Sequence, residues 1–507
     1  MKKPPKQKKS SPKERPSKAV SALEERRNED ELSIKAIKEL RQEEQLRKRQ
    51  EEDSRLAKEY TQQRLAKSKT TLGYGFDLKK KQKMRSLEIP DSFRCAGMWV
   101  FGSTRSGKSR LLEHICISDI KKGYSVVVFD PKGDPELLNA ITYWADQTGR
   151  IEDLMLVTPI FPDYSAVIDP LASYYMIEEL VAHITAGVSV GDDPYYYNVA
   201  YEMALGICSG LVAIALANGK QPVFNLKEVE NYVSYNGLTA LRDRLATLDS
   251  SPELESLIQT LNRILSTPPD FFAKVGSSLR VALSELTNGH VGRIIGKADE
   301  NRFLKRLEAG KTVIMVVQLG SLLTARAAQT TAKVILSMIQ SYIGRVLASG
   351  AKINPPLALH IDEAQSCIHP GFPQMIAQVG SSNTFITAYN QSINQLTDAL
   401  GQEKAYSLLD NANTKAFFRV PDSETAQYVS SHLGERKTLS PILSFGGGFS
   451  VRETEDLMVK ASEVLGLSPR EFFLMTFGGV FRGKTHDVPL CPVEVRFPTP
   501  NTIRKIR

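Results

Sequence analysis

The chain contains few residues that could form covalent or metal cross-links. Only five of its 507 residues are cysteine. They are isolated from one another, with no CxxC pair and no histidine at ligand spacing: Cys95, Cys116, Cys208, Cys367 and Cys491. An odd set of isolated cysteines argues against a disulfide framework and against a structural zinc site. Such cysteine usage is typical of a protein that stays in a reducing compartment.

Long apolar runs are lacking as well. The longest uncharged apolar run, residues 203–217, has 15 residues and contains glycine and serine, whereas a membrane-spanning helix needs about 20. The N-terminus has Lys and Pro where a signal peptide has its apolar core. We therefore expect a buried helix at residues 203–217, no transmembrane segment, and a cytoplasmic protein that reaches the inner membrane face only as a peripheral component.

The net charge of +8 is confined to one end of the chain. Residues 1–70 contain 21 Lys and Arg against 13 Asp and Glu, whereas the remainder contains 44 of each sign. Residues 1–18 are rich in Lys, Pro and Ser, which predicts disorder, and residues 21–68 resemble an exposed helix or weak coiled coil. Contact with a phosphate backbone, with anionic lipid or with a partner protein all remain open for this basic arm. With 42% hydrophobic residues, the rest can bury large cores over two to four domains.

A complete phosphate-binding pattern, GxxxxGKS, occupies residues 102–109. The apolar residues 98–101 before it predict a strand, and the periodicity of residues 106–121 predicts a helix after it. In such a loop the glycines let backbone N–H groups face phosphate oxygens, the lysine reaches the β- and γ-phosphates, and the final hydroxyl can ligate Mg²⁺. Ser109 is therefore the predicted Mg²⁺ ligand of the loop. The sequence predicts a nucleotide site formed by Gly102, Ser103, Thr104, Arg105, Ser106, Gly107, Lys108, Ser109 and Arg110.

The segments after this loop alternate between strand and helix. Residues 124–130 read as a strand and residues 134–144 as a helix, which predicts a parallel sheet with crossover helices. The strand leads into a Pro-Gly turn that carries Asp130 and Lys132. These two side chains could approach phosphate or a neighbouring subunit, or could be solvated charges on a turn.

From residue 173 to residue 286 the pattern is helical, which predicts an all-α insertion in the α/β domain. The expected helices are residues 177–186, 196–217, 226–235, 237–248 and 254–265. A cluster of tyrosines at residues 195–197 could stack on bases, but packing between helices is the favoured interpretation.

Strand character returns at residues 311–318, followed by a helix at 324–347 and a second apolar strand at 355–361. That strand leads directly into Asp362 and Glu363, the pattern of a Walker B segment. Asp362 is placed to hold Mg²⁺ and Glu363 to orient or deprotonate the attacking water, and these two carboxylates make no sense as core residues. The next strand, residues 384–389, precedes Gln391, which is placed to sense the γ-phosphate, although a helix-capping turn is the alternative.

Several of these segments resemble the type IV secretion coupling proteins of bacterial conjugation, the TraD/TraG/TrwB type, which are relatives of the FtsK and HerA pumps. The resemblance covers about residues 95–490. Its most specific part is 408–436, where DNANTKAFFR precedes DSETAQY and LGE. The other matching segments are residues 102–109, 128–134, 168–171, 359–364 and 389–396.

The resemblance implies a RecA-like P-loop NTPase fold with a parallel central sheet interrupted by an all-α insertion domain. It also implies an ATP- and Mg-dependent homo-hexamer that takes relaxase-bound single-stranded DNA to a type IV secretion channel. Contacts with DNA are expected mainly along the phosphate backbone. Lys108, Glu363 and Gln391 are then the expected catalytic residues.

The chain departs from this family pattern in two places. Family members usually have an N-terminal transmembrane anchor where this chain has its basic arm, so that a separate membrane anchor or the channel proteins are expected partners. Relatives also often carry an arginine finger before the strand that ends in the sensor glutamine, but residues 378–383 read QVGSSN. Arg326 is the candidate substitute.

The expected organisation is a basic disordered or helical arm (1–70), a linker (71–94), a first part of the nucleotide-binding domain (95–172), an all-α domain (173–286) and a second part (287–507). The tail is expected to hold a glycine-rich break at 446–448, a helix at 453–465 and a strand at 472–481. Two other functions remain open: a DNA translocase of the FtsK/HerA type outside conjugation, and an ATP-binding adaptor that recruits substrate without processive work.

Overall fold

A computed structural model describes residues 65, 67–80, 83–188, 194–268, 272–273, 276–298, 300–443 and 449–498. Apart from its last residues, the predicted basic arm lies outside this described part, and so does the predicted glycine-rich break at 446–448.

The described part is built on an eleven-stranded sheet with the order β2-β1-β13-β12-β9-β3-β8-β7-β4-β6-β5, and two further strands, β10 and β11, form a separate antiparallel pair. The strands are β1 (Lys69–Asp77), β2 (Arg85–Pro90), β3 (Met98–Phe101), β4 (Ser125–Asp130), β5 (Leu154–Val157), β6 (Ile314–Gln318), β7 (Leu357–Ile361), β8 (Thr384–Asn390), β9 (Thr414–Phe417), β10 (Glu435–Leu443), β11 (Phe449–Leu457), β12 (Glu471–Thr476) and β13 (Gly479–Thr485).

Seven adjacent strands, from β9 to β5, pair in parallel, and β12, β13, β1 and β2 continue the sheet in antiparallel pairs. In the parallel part β8 lies between β3 and β7. The carboxyl ends of parallel strands meet at one edge, which is where ligands bind in open α/β sheets. The phosphate-binding loop, the Walker B carboxylates and Gln391 therefore emerge at the same edge.

Helices cover both faces of this sheet, and the strands predicted at 98–101, 124–130, 311–318, 355–361 and 384–389 are confirmed to within three residues. The longer helices are Lys108–Lys121, Pro135–Gln147, Ile177–Ala186, Pro194–Ala217, Tyr235–Leu245, Pro252–Leu265, Ser277–Thr287, Ala325–Ala348, Ile393–Leu400, Gln402–Asn411 and Ser423–His432. The shorter ones are Asp91–Arg94, Leu226–Glu230, Gly289–Val291, Arg302–Glu308, Phe372–Gln378 and Ala461–Leu465.

The sheet has a hydrophobic core on each face. Strand β4 shows why, because its six residues are all buried and its side chains alternate between the faces. Val127 and Phe129 pack into the core that includes the inserted helices, whereas Val126 and Val128 pack into the core beneath the helix Lys108–Lys121. The continuous apolar strand thus holds the two layers together.

The helical insertion leaves and rejoins the α/β part at one point. Ile168 forms an antiparallel bridge with Asn301, and the Asp169 N–H donates to the Glu300 carbonyl at 2.9 Å. The Asn301 side chain also donates to the Asp169 carbonyl at 2.7 Å. This closed stem shows where the chain between these residues projects from the sheet.

The longest apolar helix of the insertion, Pro194–Ala217, contains the run at 203–217 and begins within two residues of the helix predicted at 196–217. By length and composition alone, Tyr195–Ala217 could cross a membrane, but 44% of its apolar stretch is buried inside the protein. Met203, Ile207 and Cys208 belong to the main hydrophobic core, and a core helix meets the same criterion. Of the tyrosines at its start, Tyr197 packs against that core, whereas about half of the Tyr195 side chain is exposed.

Three segments differ from expectation. The stretch 71–94, expected as a linker, contains most of β1 and all of β2. The two glycines of β1 interrupt the strand pattern of that segment. The helix expected at 453–465 is wrong in its first half, where β11 pairs with β10, and only Ala461–Leu465 is helical. The single strand expected at 472–481 is instead the hairpin β12–β13, which turns at Phe477 and Gly478.

A buried ion pair ties the start of the α/β part to the helix after the phosphate loop. The Arg94 guanidinium donates to both carboxylate oxygens of Asp119 at 2.5 and 2.7 Å, and His360 of β7 lies 3.0 Å from the same carboxylate. Burial alone would raise the pKa of Asp119, but Arg94 holds that pKa well below its usual value. Asp119 therefore stays ionised inside the protein.

Replacing Arg94 by alanine is expected to lower the free energy of unfolding by about 3–5 kcal/mol, because Asp119 would remain as an uncompensated buried charge. Urea denaturation measures this change. The control is Lys69→Ala, which breaks a mostly exposed pair with Glu88 and should cost less than about 1 kcal/mol. Equal effects of the two substitutions would contradict the role assigned to the buried pair.

Candidate nucleotide site

The phosphate-binding loop follows β3 and depends on its two glycines. A Cβ on Gly102 would come within 2.6 Å of the Ser106 hydroxyl and 2.8 Å of Phe418. Gly107 has φ 110°, in the region that favours glycine. Neither position therefore accepts a side chain without a shift in the loop.

Neighbouring strands hold this loop in place. The Gly102 N–H donates to the Asn390 carbonyl at 3.0 Å, and the Ser103 N–H donates to the Arg419 carbonyl at 2.7 Å. The helix Lys108–Lys121 begins directly after the loop, which leaves its first N–H groups without partners inside the helix. The buried Ser106 hydroxyl has no hydrogen-bond partner among the described residues. The loop thus presents free donors and the positive end of a helix, the features that bind phosphate.

The remaining predicted loop residues do not all face one ligand. Thr104 and Arg105 are exposed, and Arg105 has φ 62°. Arg110 forms ion pairs with Glu113 at 2.7 Å and with Glu136 at 2.6 Å. The guanidinium of Arg110 is therefore already neutralised by two carboxylates.

Lys108 joins the loop to the Walker B carboxylates. Its Nζ lies 3.9 Å from Asp362 Oδ1 and 3.6 Å from Glu363 Oε1, and all three side chains are at most 8% exposed. Burial raises the pKa of Asp362, although Lys108 and Lys132 oppose this. The Oδ1 atom of Asp362 has no hydrogen-bond partner within the described part of the chain. A buried acceptor without a donor is a position that a cation can fill.

Residues from three segments bind the Glu363 carboxylate. Lys132 donates to Oε1, as does the Gln391 side chain at 3.2 Å, and Gln365 donates to Oε2 at 2.7 Å. Burial alone would raise the pKa of Glu363, but Lys108, Lys132 and Gln365 bring it to about 2. Glu363 itself has φ 45°, an uncommon conformation outside glycine that clusters at functional sites.

A line of side-chain hydrogen bonds extends from Glu363 into the sheet. Gln365 accepts from the Asn390 side chain at 2.6 Å, and Asn390 accepts from the Trp99 indole at 3.1 Å. Trp99 lies in β3, directly before the phosphate loop, and Asn390 ends β8. The order β3-β8-β7 therefore lets one buried network touch the strand before the loop, the sensor strand and the Walker B carboxylate. Sequence reasoning missed Trp99 and Gln365.

The turn after β4 brings Asp130 and Lys132 to the same edge. Asp130 accepts hydrogen bonds from the Gly133 N–H at 2.9 Å and the Asp134 N–H at 2.5 Å, and burial raises its pKa to about 6. Lys132 reaches Glu363 as described above and lies 3.9 Å from Asp362 Oδ2. The interpretation of this turn as solvated charges is therefore wrong.

The site fits a hydrated Mg²⁺ ion. Ser109 and Asp362 line one small cavity, together with Asp134 and Glu136. Hydroxyl and carboxylate oxygens are ligands that Mg²⁺ prefers, and this ion usually keeps several waters. Ser109 and Asp362 thus border the same cavity, and Asp362 brings an acceptor without a hydrogen-bond partner among the described residues.

Two further arginines, Arg326 and Arg470, lie in different surroundings. Arg326 is 69% exposed and pairs with Glu285 of the inserted helices at 2.6 Å. Arg470, which no sequence pattern singled out, contacts the phosphate loop through its backbone: its N–H donates to the Ser106 carbonyl at 2.6 Å. A single arginine before a strand forms no sequence pattern from which a contact with a distant loop could be predicted.

Residues 356–467 match the family model described as the TraM recognition site of TraD and TraG. The unbound form of the bacterial conjugative coupling protein TrwBdeltaN70 superposes with a TM-score of 0.62, at 16% identity over 80% of this chain and 88% of that one. The chain has the fold of the conjugative coupling protein TrwB. TrwB with the non-hydrolysable ATP analogue ADPNP gives 0.61 at 15% identity over 83% and 96% of the two chains. TrwB with ADP and Mg²⁺ gives 0.58 at 15% identity over 85% and 96%.

These matches confirm the resemblance to TraD/TraG/TrwB-type proteins and the RecA-like P-loop fold class. A search of curated protein sequences finds no match. The matched range 356–467 begins directly before β7 and contains Asp362, Glu363 and Gln391. The structural matches establish the fold. At identities of 15–16% they do not show the roles of individual residues.

Proposed function

We propose that the protein is an ATP-driven coupling protein that recruits relaxase-bound single-stranded DNA and pumps it to a type IV secretion channel in conjugation. The observation that carries this proposal is the convergence of Lys108, Asp362, Glu363 and Gln391 at the carboxyl edge of a TrwB-like sheet. Solved TrwB complexes with ADPNP and with ADP and Mg²⁺ support ATP and Mg as the cofactors.

Each residue has a distinct task in this proposal. The free N–H groups of the loop and the Lys108 ammonium hold the β- and γ-phosphates, while Ser109 and Asp362 hold the ion. Mg²⁺, when bound, neutralises phosphate charge and orients the terminal phosphoryl group. Glu363 orients the attacking water and accepts its proton. Gln391 links Glu363 to β8. When the cleaved phosphate leaves, Gln391 changes its hydrogen-bond partner, and this change transmits hydrolysis to the sheet.

Lys132 is a cation of this site whose role the sequence left undecided. Its ammonium contacts Glu363 and lies near Asp362, and in our proposal it would turn to the transferring phosphoryl group when nucleotide occupies the site. That role is one an arginine finger fills in related motors. About half of its side chain is exposed, so that it has room to move.

Replacing Lys132 by alanine is expected to lower kcat for ATP hydrolysis about 10- to 100-fold and to change the nucleotide Kd by less than about threefold, because the interaction forms mainly in the transition state. Steady-state kinetics and nucleotide titration measure the two quantities. The control is Lys121→Ala, at the C-terminal end of the helix Lys108–Lys121. A kcat that stays at the wild-type value or rises would show that Lys132 only restrains Glu363.

In the homo-hexamer that we propose, a cation from the neighbouring subunit completes each site. Arg326 is our candidate, since its exposure leaves it accessible to a second copy. It would have to leave Glu285 to act. Undiminished turnover in Arg326→Ala would remove it from the mechanism.

The proposed partners follow from the family match and from charge. The matching family model is described as a TraM recognition site, which supports docking to a complex assembled on DNA. The basic arm is proposed to reach the channel proteins or a separate membrane anchor, so that the protein works at the cytoplasmic membrane face. Binding to single-stranded DNA would weaken with salt, as phosphate contacts do.

Two alternatives are kept. An ATP-binding adaptor is favoured by the occupied state of Glu363, whose carboxylate is bound by Lys132, Gln391 and Gln365. A DNA translocase outside conjugation would use the same site and differ only in its partners.

Displacement of streptavidin from 3′- or 5′-biotinylated single-stranded DNA tests the proposed pumping. We expect ATP-dependent displacement from one end, with none in the presence of ADP. DNA binding without displacement would support the adaptor. Equal rates of displacement from blunt-ended duplex DNA and from single-stranded DNA would favour the DNA translocase outside conjugation.

A further inference from the structure

Arg470 lies against the phosphate-binding loop although it is 361 residues after Ser109 in sequence. Its N–H donates to the Ser106 carbonyl. A Cβ built on Gly107 would lie 2.9 Å from Arg470 Cα and 3.1 Å from its Cγ. Gly107 therefore lacks a side chain not only for the turn of the loop but also because Arg470 occupies that space.

Arg470 itself is held in an uncommon backbone conformation, with φ 72°. A non-glycine residue keeps such a conformation only where its surroundings fix it. The Arg470 carbonyl accepts from the Thr485 N–H at 3.0 Å, and the guanidinium donates to the Thr485 carbonyl at 2.8 Å. The same guanidinium also forms an ion pair with Asp487. The side chain thus binds the end of β13, while the backbone supports the loop.

We infer that Arg470 is a positioning residue for the phosphate-binding loop, acting through its backbone and anchored by Asp487. This inference rests on the proposed nucleotide site. Loss of the guanidinium frees residue 470 from β13, and the Ser106–Gly107 turn loses its support. Phosphate contacts depend on loop geometry to within about 0.5 Å, and so a loop without this support binds nucleotide less tightly.

The test measures the Kd for Mg·ADP of the full chain by calorimetry, beside the thermal unfolding midpoint. Arg470→Ala is expected to weaken binding about 5- to 10-fold, because its charge-assisted contacts with the end of β13 are lost. The Asp487 side chain is 87% exposed, and an exposed partner contributes less than about 1 kcal/mol, so Asp487→Ala should weaken binding about threefold and leave the midpoint within about 2 °C. The double variant should bind no more weakly than Arg470→Ala, as expected for two residues that act as one unit.

A matched control lies in the same hairpin. Arg482 pairs with Glu471 at 3.1 Å across β12 and β13, without a hydrogen bond to the phosphate loop. Arg482→Ala is expected to keep the wild-type Kd within about twofold. An equal weakening in Arg482→Ala, or wild-type affinity in both Arg470→Ala and Asp487→Ala, would overturn the inference.

Lys108→Ala in the same assay separates this inference from the proposed function. A wild-type protein that binds no Mg·ADP would remove both. Wild-type binding that is lost in Lys108→Ala but unchanged in Arg470→Ala and Asp487→Ala would remove only the role of Arg470.

Discussion

Replacing Glu363 by glutamine is expected to lower kcat for ATP hydrolysis by about 100-fold or more and to change the nucleotide Kd by less than about threefold. Glutamine keeps the size of the side chain and a partner for Gln365, but it cannot accept a proton from water. General-base catalysis contributes about 10²- to 10⁴-fold in enzymes. The structure places this carboxylate beside Lys108 and at the carboxyl edge of the sheet, where the water would attack.

Steady-state turnover and calorimetric binding of ADPNP measure the two effects of Glu363→Gln. Glu424→Gln, an exposed position in the helix Ser423–His432, is the control and should leave both quantities unchanged. Turnover in Glu363→Gln equal to that of the wild type would exclude Glu363 as the base. A parallel loss of affinity and kcat would assign it to binding instead.

Replacing Lys108 by alanine is expected to weaken nucleotide binding by about 100-fold or more. Two charge-assisted contacts with phosphate would be lost, each of about 1.5–3 kcal/mol, and 1.4 kcal/mol corresponds to a factor of ten. Lys108 is also the charge that lowers the pKa of Glu363 most. Its loss would therefore leave Glu363 and Asp362 as a buried pair of like charges with only Lys132 beside them.

Calorimetric titration of Lys108→Ala with Mg·ADP, beside Lys121→Ala, measures this effect. The two lysines lie at opposite ends of the helix Lys108–Lys121, so that the control changes the same type of residue on the same helix. Lys121→Ala should bind as the wild type does. Retained affinity in Lys108→Ala would place the phosphates elsewhere.

The placement of the candidate site residues at one edge of the sheet could be predicted largely from the sequence, because these residues follow continuous apolar strands. Strands β4, β6 and β7 are buried on both faces, which produces runs of Val, Ile and Leu that end abruptly in polar residues. The residues after such runs meet at one edge, and Asp362, Glu363 and Gln391 are found there together. Local pattern and parallel-sheet geometry sufficed for these positions.

Contacts between distant segments could not be predicted in this way. Gln365 and Trp99 take part through side-chain hydrogen bonds that depend on which strand lies between β3 and β7, and strand order is not written in any local pattern. Arg470 reaches the phosphate loop only because β12 joins the sheet beside β9. Strand β1 was missed because Gly73 and Gly75 interrupt the pattern of alternating side chains.

The region of β10 and β11 shows a different limit. Residues 449–457 alternate between polar and apolar side chains only weakly and carry several charges, a composition that also suits a surface helix. The two strands pair with each other in nine registered positions and lie outside the main sheet. The described side chains of residues 451–457 are exposed or half-buried, so that this part of the strand carries no buried apolar pattern that would distinguish a strand from a helix.

The most direct test of the central claim is steady-state ATP hydrolysis with and without single-stranded DNA, at low and moderate salt, for the wild type and Glu363→Gln. The account predicts turnover by the wild type that DNA stimulates, that falls with salt, and that is lost in Glu363→Gln. Tight binding of ATP without turnover in any of these conditions would contradict a motor and leave the protein as a nucleotide-binding adaptor.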